Sequence, residues 1–168
     1  MTRYPRLIDR ALLSTVVSPD RPATPVIDIE SAAIVAGQLK AIIGQHRLMF
    51  AVAPYVGISL RIAVLVDGTT MINPTIVGAD EALSPTQETC PLYPGIAVER
   101  SRPTWIRVRY VSEDGETTTR RLEGRAAALV CQAIDVLDSK TLLDGLSSLK
   151  KEKLLRKSAS AARRIRAS

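Results

Sequence analysis

The chain has 168 residues, 46% of them apolar and 24% charged, with a formal net charge of +6. This is the make-up of one globular domain with a sizeable core, and no apolar run reaches the roughly 18 residues a membrane span needs. A single histidine, His46, excludes a site built on two or three imidazoles, and two cysteines, Cys90 and Cys131, make no disulfide framework.

The first 27 residues, with "SPDRPATP" near their end, read as an irregular arm. Asp28 is placed to cap a helix over about 29–45, where Ala, Ile, Val and Leu recur at helical spacing. Gly37 and Gly44 weaken that helix. "LMFAVAPYVGISLRIAVLVDG" is extended, with a strand at Ile62–Val66 and a turn at Asp67-Gly68. "MINPTIVGAD" predicts another strand, broken by Pro74, and "QETCPLYPGIAVERSRP" a loop or short strand punctuated by prolines. The clearest hairpin is "TWIRVRYVSEDGETTTRRLEG": Ile106, Val108 and Tyr110 alternate with Arg107 and Arg109, and Asp114-Gly115 makes the turn. A helix is expected from about Gly124 to Leu137, apolar over much of its surface. The order of helix, strands, helix and tail predicts an α+β fold rather than alternating βαβ units.

Charge is concentrated at the end of the chain. Residues 150–168 hold eight Lys/Arg and one Glu, so residues 1–149 carry about −1. The tail is expected to be a basic helix that frays toward its end. It offers a salt-sensitive attraction to phosphate backbones, but has no aromatic side chain for base stacking. The N-terminus, "MTRYPRLIDR", lacks a signal-peptide core, so a cytoplasmic protein with free thiols is expected.

Three blocks stand in order: "APYVGISLRIAVLV" (53–66), "ETCPLYPG" (88–95) and "LEGRAAALVCQAIDVLDS" (122–139). Together they resemble the peptide deformylase family over about residues 28–157. The resemblance implies a deformylase-like α+β fold, with antiparallel strands around a central helix and a C-terminal helix. It divides the chain into an arm (1–27), a deformylase-like domain (28–149) and a basic C-terminal helix or tail (150–168). Family members remove the N-formyl group from nascent peptides. They use Fe(II) or Zn held by one cysteine and two histidines of an H-E-x-x-H helix, whose i, i+4 spacing puts both imidazoles on one face.

Set against that pattern, the reactive positions differ. "QAIDV" puts Gln132 and Val136 where the family has histidines, and Ala133 where it has the glutamate that handles protons. The family's G-x-G-x-A-A-P-Q becomes "LMFAVAPY", so Tyr55 stands for the oxyanion-binding glutamine and Phe50 for a glycine. The family's E-G-C-L-S becomes "ETCPL". Cys90 is kept, but Pro91 has no N–H to offer an oxyanion, and losing one such donor typically costs about 10²–10³ in rate. Glu88 and Arg102 match a structural ion pair of the family, and Asp135 a structural position.

The resemblance therefore implies a pseudoenzyme acting as a binding or regulatory protein, with no metal cofactor expected. Two alternatives stand beside it. One is a repurposed enzyme, a hydrolase or transferase dependent on Cys90. The other is an active deformylase with an unusual metal site. Cys90 is a candidate nucleophile only if its pKa is lowered. Cys131 is expected to pack in the core, and His46 to be a surface loop residue. Met49, Phe50, Tyr55, Leu129 and Val136 form either an apolar plug in a collapsed pocket, which is the favoured reading, or the wall of an altered pocket shared with Glu88, Cys90, Arg102 and Gln132. The implied partners are a peptide or protein in the former substrate cleft and ribosomal RNA along residues 150–168.

Overall fold

The computed structural model describes residues 21–167. The reading of the first 20 residues as an irregular arm lies outside the described residues. Helix α1 spans Ile29–His46, and the Asp28 carboxylate accepts from the amides of Glu30 and Ser31 at its start. The chain then forms β1 (Phe50–Val52), a single 3₁₀ turn at Ala53–Val56, β2 (Ile62–Leu65) and β3 (Thr70–Ala79). A separate antiparallel pair follows, β4 (Leu83–Glu88) with β5 (Val98–Pro103). Then come the hairpin β6 (Trp105–Val111) and β7 (Thr117–Glu123), helix α2 (Gly124–Leu137) and helix α3 (Ser148–Ala167). The larger sheet has the order β1-β2-β3-β6-β7, with every pairing antiparallel.

The two helices α1 and α2 cover opposite faces of that sheet, and strand periodicity assigns the side chains. In β2, Ile62 and Val64 join the cluster under α1, whereas Ala63 and Leu65 join the cluster around α2. Both faces are buried, which is why "IAVL" is apolar without interruption. In β6 only one face is covered, so Ile106, Val108 and Tyr110 are buried while Arg107 and Arg109 are exposed.

Helix α2 is wedged between the larger sheet and the β4-β5 pair, touching β1, β4, β5 and β7. Nine of its fourteen residues are buried, which accounts for an apolar surface on several sides. Each fully buried Val or Leu there contributes about 1.5–3 kcal/mol relative to exposure.

Two expectations are corrected. Pro74 does not break β3. Asn73 takes a left-handed φ of 52°, and the pairing register shifts between Ile72 and Thr75, so the proline, which has no N–H, falls in a bulge. The same Asn73 clasps Val26, accepting from its N–H at 2.8 Å and donating to its carbonyl at 2.9 Å. The stretch from Gln87 to Pro103, read as a loop or short strand, holds both: a loop over 89–97 and then strand β5, paired with β4. His46 is buried at the end of α1, not on a surface loop.

Helix α3 holds through to Ala167 and packs on the turn after Cys90. Gly95 lies so close to it that an added Cβ would stand 2.6 Å from the Ala161 Cβ. Ser158 is buried there, and Leu154 packs on the α2 cluster.

Candidate functional site: a cleft between the β4-β5 pair and helix α2

Four segments meet at the cleft, one of them the end of β5 with Arg102 and Pro103. The end of β4 delivers Glu88, Thr89, Cys90 and Pro91. The entry to β1 delivers Leu48, Met49 and Phe50. One face of α2 delivers Arg125, Ala128, Leu129 and Gln132, at the i, i+3, i+4 and i+7 positions of a single stripe. They enclose a cleft of about 460 Å³. Seven of the sequence-derived pocket positions line it: Met49, Phe50, Glu88, Cys90, Arg102, Leu129 and Gln132. Tyr55 and Val136 do not. Both are buried in the core around α2, Tyr55 at 2% exposure. The cleft is therefore not filled by an apolar plug, and the favoured expectation of a collapsed pocket is corrected. The larger side chain at Phe50 turns inward, its ring centroid 6.3 Å from that of Tyr55.

The Cys90 sulfur is 3.3 Å from the Tyr55 hydroxyl oxygen, and both groups are buried. Burial is the main cause that pushes the Cys90 thiol up. The hydrogen bonds from Tyr55 and from the Leu92 and Tyr93 amides pull the other way without reversing the shift. Burial and the neighbouring Cys90 likewise push the Tyr55 phenol well above its ordinary value. Both groups are thus neutral partners in one hydrogen bond at physiological pH. Across the cleft, Gln132 donates from Nε2 to the Thr89 carbonyl at 2.7 Å. This bond ties α2 to the residue before Cys90. Ala133 and Val136 are buried and carry no polar side-chain atom. Pro91 removes the amide donor just after the cysteine, and the Tyr93 N–H is shared between the Cys90 carbonyl, at 3.0 Å, and the Cys90 sulfur.

The charged residues near the cleft are paired structurally. Arg102 grips Glu88 in a fork, Nε to Oε1 at 2.6 Å and Nη2 to Oε2 at 2.9 Å, and reaches Asp135 with Nη1 at 2.7 Å. Burial alone lowers the Arg102 pKa, but the hydrogen bond to Glu88 and the charge of Asp135 outweigh it and raise the value. Lys140 adds a looser contact to Asp135 at 3.5 Å. One guanidinium thereby binds β4, β5 and α2 together, and Asp135 is occupied outside the cleft. His46 is not among the cleft residues, and Cys131 is packed in the core.

Ser84, Thr86, Gln87, Thr104 and Arg125 also line the cleft, though reading the sequence did not single them out. The signal existed: Ser84, Thr86 and Glu88 alternate along β4, and Arg125 starts the helical stripe that ends at Gln132.

The model of the polypeptide deformylase family matches residues 20–152. The chain belongs to this family. A peptide deformylase of Rhodopseudomonas palustris strain TIE-1 is 35% identical over 98 residues, which is 58% of this chain and 56% of that relative. The chain thus matches little more than half the length of that relative. A peptide deformylase of Thermotoga petrophila is 35% identical over 117 residues, 68% of this chain and 71% of the relative. Among solved structures, a peptide deformylase from Legionella pneumophila superposes with a TM-score of 0.83 at 26% identity, covering 91% of this chain and 96% of that one.

The family's divalent ion asks for three protein ligands of imidazole, thiolate or carboxylate type. Among the described residues no group of three or more His, Cys, Asp or Glu side chains is arranged so that it could hold a metal ion. Cys90 stands alone, with its sulfur turned to a phenol, and Gln132 is engaged with a backbone carbonyl. These residues do not fit the ion.

Proposed function

We propose that this deformylase-family chain is a binding protein whose cleft receives a peptide or an extended segment of a partner without hydrolysing a formyl group. The observation that carries this reading is the paired closure of the reactive positions: Tyr55 on Cys90 at 3.3 Å and Gln132 on Thr89 at 2.7 Å. The Cys90 sulfur is bonded to a phenol, and the Gln132 amide is held in place by its N–H bond to the Thr89 carbonyl. A proton shuttle at position 133 is absent, since alanine has no titratable group. Residue 91 has no N–H with which to bind an oxyanion. What remains is an open cleft with an apolar floor, suited to holding a chain and not to activating water.

A Cys90-dependent hydrolase draws little support. A useful nucleophile needs thiolate at neutral pH, and burial moves this thiol away from it.

The experiment is deformylation of formyl-Met-Ala-Ser by the purified chain, supplemented in turn with Fe(II), Ni(II) and Zn(II). No turnover above the buffer rate is expected. Turnover near that of an ordinary deformylase, or one equivalent of metal retained through purification, overturns the proposal.

The cations of α3 favour a second contact. Lys150, Lys153, Arg156, Lys157, Arg163, Arg164 and Arg166 are all exposed, and the helix carries one acidic residue, Glu152. We propose that this face makes a sequence-independent contact with an RNA backbone in the cytoplasm. Retention on immobilised ribosomal RNA should fall steeply between 50 and 200 mM salt, and retention unaffected by salt removes this part of the reading.

A further inference from the structure

We infer that the cleft selects a peptide that carries a carboxylate beside an apolar side chain. This rests on the proposal that the cleft binds a peptide, and it names the kind of peptide. Three charged side chains line the cleft: Glu88, Arg102 and Arg125. The first two neutralise one another, and Arg102 is further engaged by Asp135. They present no free charge to a ligand. Arg125 differs. It is exposed at the start of α2, and among the described residues its guanidinium has no hydrogen bond or ion pair. It stands one turn above Ala128 and Leu129 on the stripe that ends at Gln132.

A ligand entering along that stripe meets a cation at the mouth and apolar surface below it. The floor is Leu48, Phe50, Ala128 and Leu129, and an apolar side chain placed there sheds water. At the mouth, a carboxylate gains a planar five-donor partner that can take both of its oxygens at once. The facing rim is neutral: Ser84 and Thr86 come from β4, and Thr104 is engaged with Asp80 behind it. No acidic side chain other than the paired Glu88 lines the cleft to compete for Arg125. A lysine at the same place on a ligand would face Arg125 directly and be repelled.

Arg125 is solvated, so the preference is modest. An exposed ion pair of this kind favours its ligand by about two- to fivefold. The probes are three blocked tripeptides that differ in one side chain: acetyl-Met-Glu-Ala-amide, acetyl-Met-Gln-Ala-amide and acetyl-Met-Lys-Ala-amide. Each is titrated into the full ¹⁵N-labelled chain, and the amide shifts of Ala128 and Leu129 report occupancy of the cleft. The glutamate peptide should bind about two- to fivefold more tightly than the glutamine peptide, and the lysine peptide more weakly than both. The spread should shrink at 0.5 M salt. Arg125→Gln, an exposed and helix-compatible change, should bring the affinities of the three peptides to within about twofold of one another, and a spread that survives it overturns the assignment to Arg125. Equal binding of all three peptides with shifts at Ala128 and Leu129 defeats the charge preference while the peptide cleft stands. Absence of binding by any of them at millimolar concentration defeats the peptide cleft, and the charge preference with it.

Discussion

Replacing Arg102 with methionine removes the clamp beneath the cleft. Arg102 makes two hydrogen bonds to Glu88 and one to Asp135, and its own side chain is only 15% exposed. Glu88 is 5% exposed and among the described residues its carboxylate has no other hydrogen-bond or ion-pair partner, so Arg102→Met strands a carboxylate in the interior. Removing one member of such a pair typically costs about 3–5 kcal/mol. Asp135 keeps Lys140 nearby and is 29% exposed, so its share is small and the lower end applies, about 3 kcal/mol. For a domain of this size that lowers Tm by about 6–12 °C. The companion Glu88→Leu/Arg102→Met variant decides whether the reasoning is right, because apolar replacement of both partners is often neutral. It should recover about half or more of the lost stability. The assay is urea unfolding followed by circular dichroism, for both single variants and the double. If Arg102→Met lies within about 0.5 kcal/mol of the parent, or if the double variant is worse than the sum of the singles, then Arg102 is not the clamp and the account of the cleft floor is wrong.

Further outcomes are expected. Alkylation of Cys90 by iodoacetamide, in a Cys131→Ser background, should be slow at pH 7 and rise only well above pH 8.5, where an ordinary thiol titrates; fast labelling at pH 7 would contradict the buried Tyr55 partner. The sign for stability follows from the same shift. The folded thiol holds its proton more tightly than the unfolded one, so its contribution is intact below about pH 8.5 and is lost as pH rises through the folded value. Gly95→Ala should destabilise by about 2 kcal/mol in urea unfolding, since the residue sits at φ 75° and a Cβ there meets Ala161 at 2.6 Å; a neutral result would mean that α3 does not dock at that turn. Chelation by EDTA should leave Tm unchanged, whereas Gln132→Ala should lower it through loss of about 1 kcal/mol from the Thr89 bond. A large EDTA shift would reveal a metal contribution to folding.

Much of the fold was legible before the structure because local chemistry and burial agree there. Asp28 caps the helix it precedes, the alternation in "WIRVRY" matches a sheet covered on one side, and "RAAALVCQAIDVL" is apolar on several sides because α2 is packed between two sheets over most of its length. The misreadings have a common origin in tertiary context. Pro74 looks like a strand breaker until Asn73 is seen to bulge and hold Val26. The placement of His46 depends on how α1 lies on the sheet, which no local pattern reveals. Along the site, the stripe Arg125, Ala128, Leu129 and Gln132 is visible from helical spacing alone. Its meaning is not, because β4 and the entry to β1 face it only through long-range pairing.

The two segments that the family's ion would join, the turn after β4 and helix α2, are tied here to each other and to their neighbours by side chains. Gln132 reaches from α2 to Thr89, Tyr55 reaches from the 3₁₀ turn to Cys90, and Arg102 reaches from β5 to both β4 and α2. Each bond is modest, about 0.5–1.5 kcal/mol for the neutral ones, but together they satisfy every polar group they bring inside. No buried side-chain nitrogen or oxygen among the described residues lacks a partner. A site that had lost a metal without compensation would leave polar atoms stranded at a cost of about 1–3 kcal/mol apiece. That none is stranded means the lining of the cleft is satisfied by the chain's own side chains, which is what the proposed binding role requires of it.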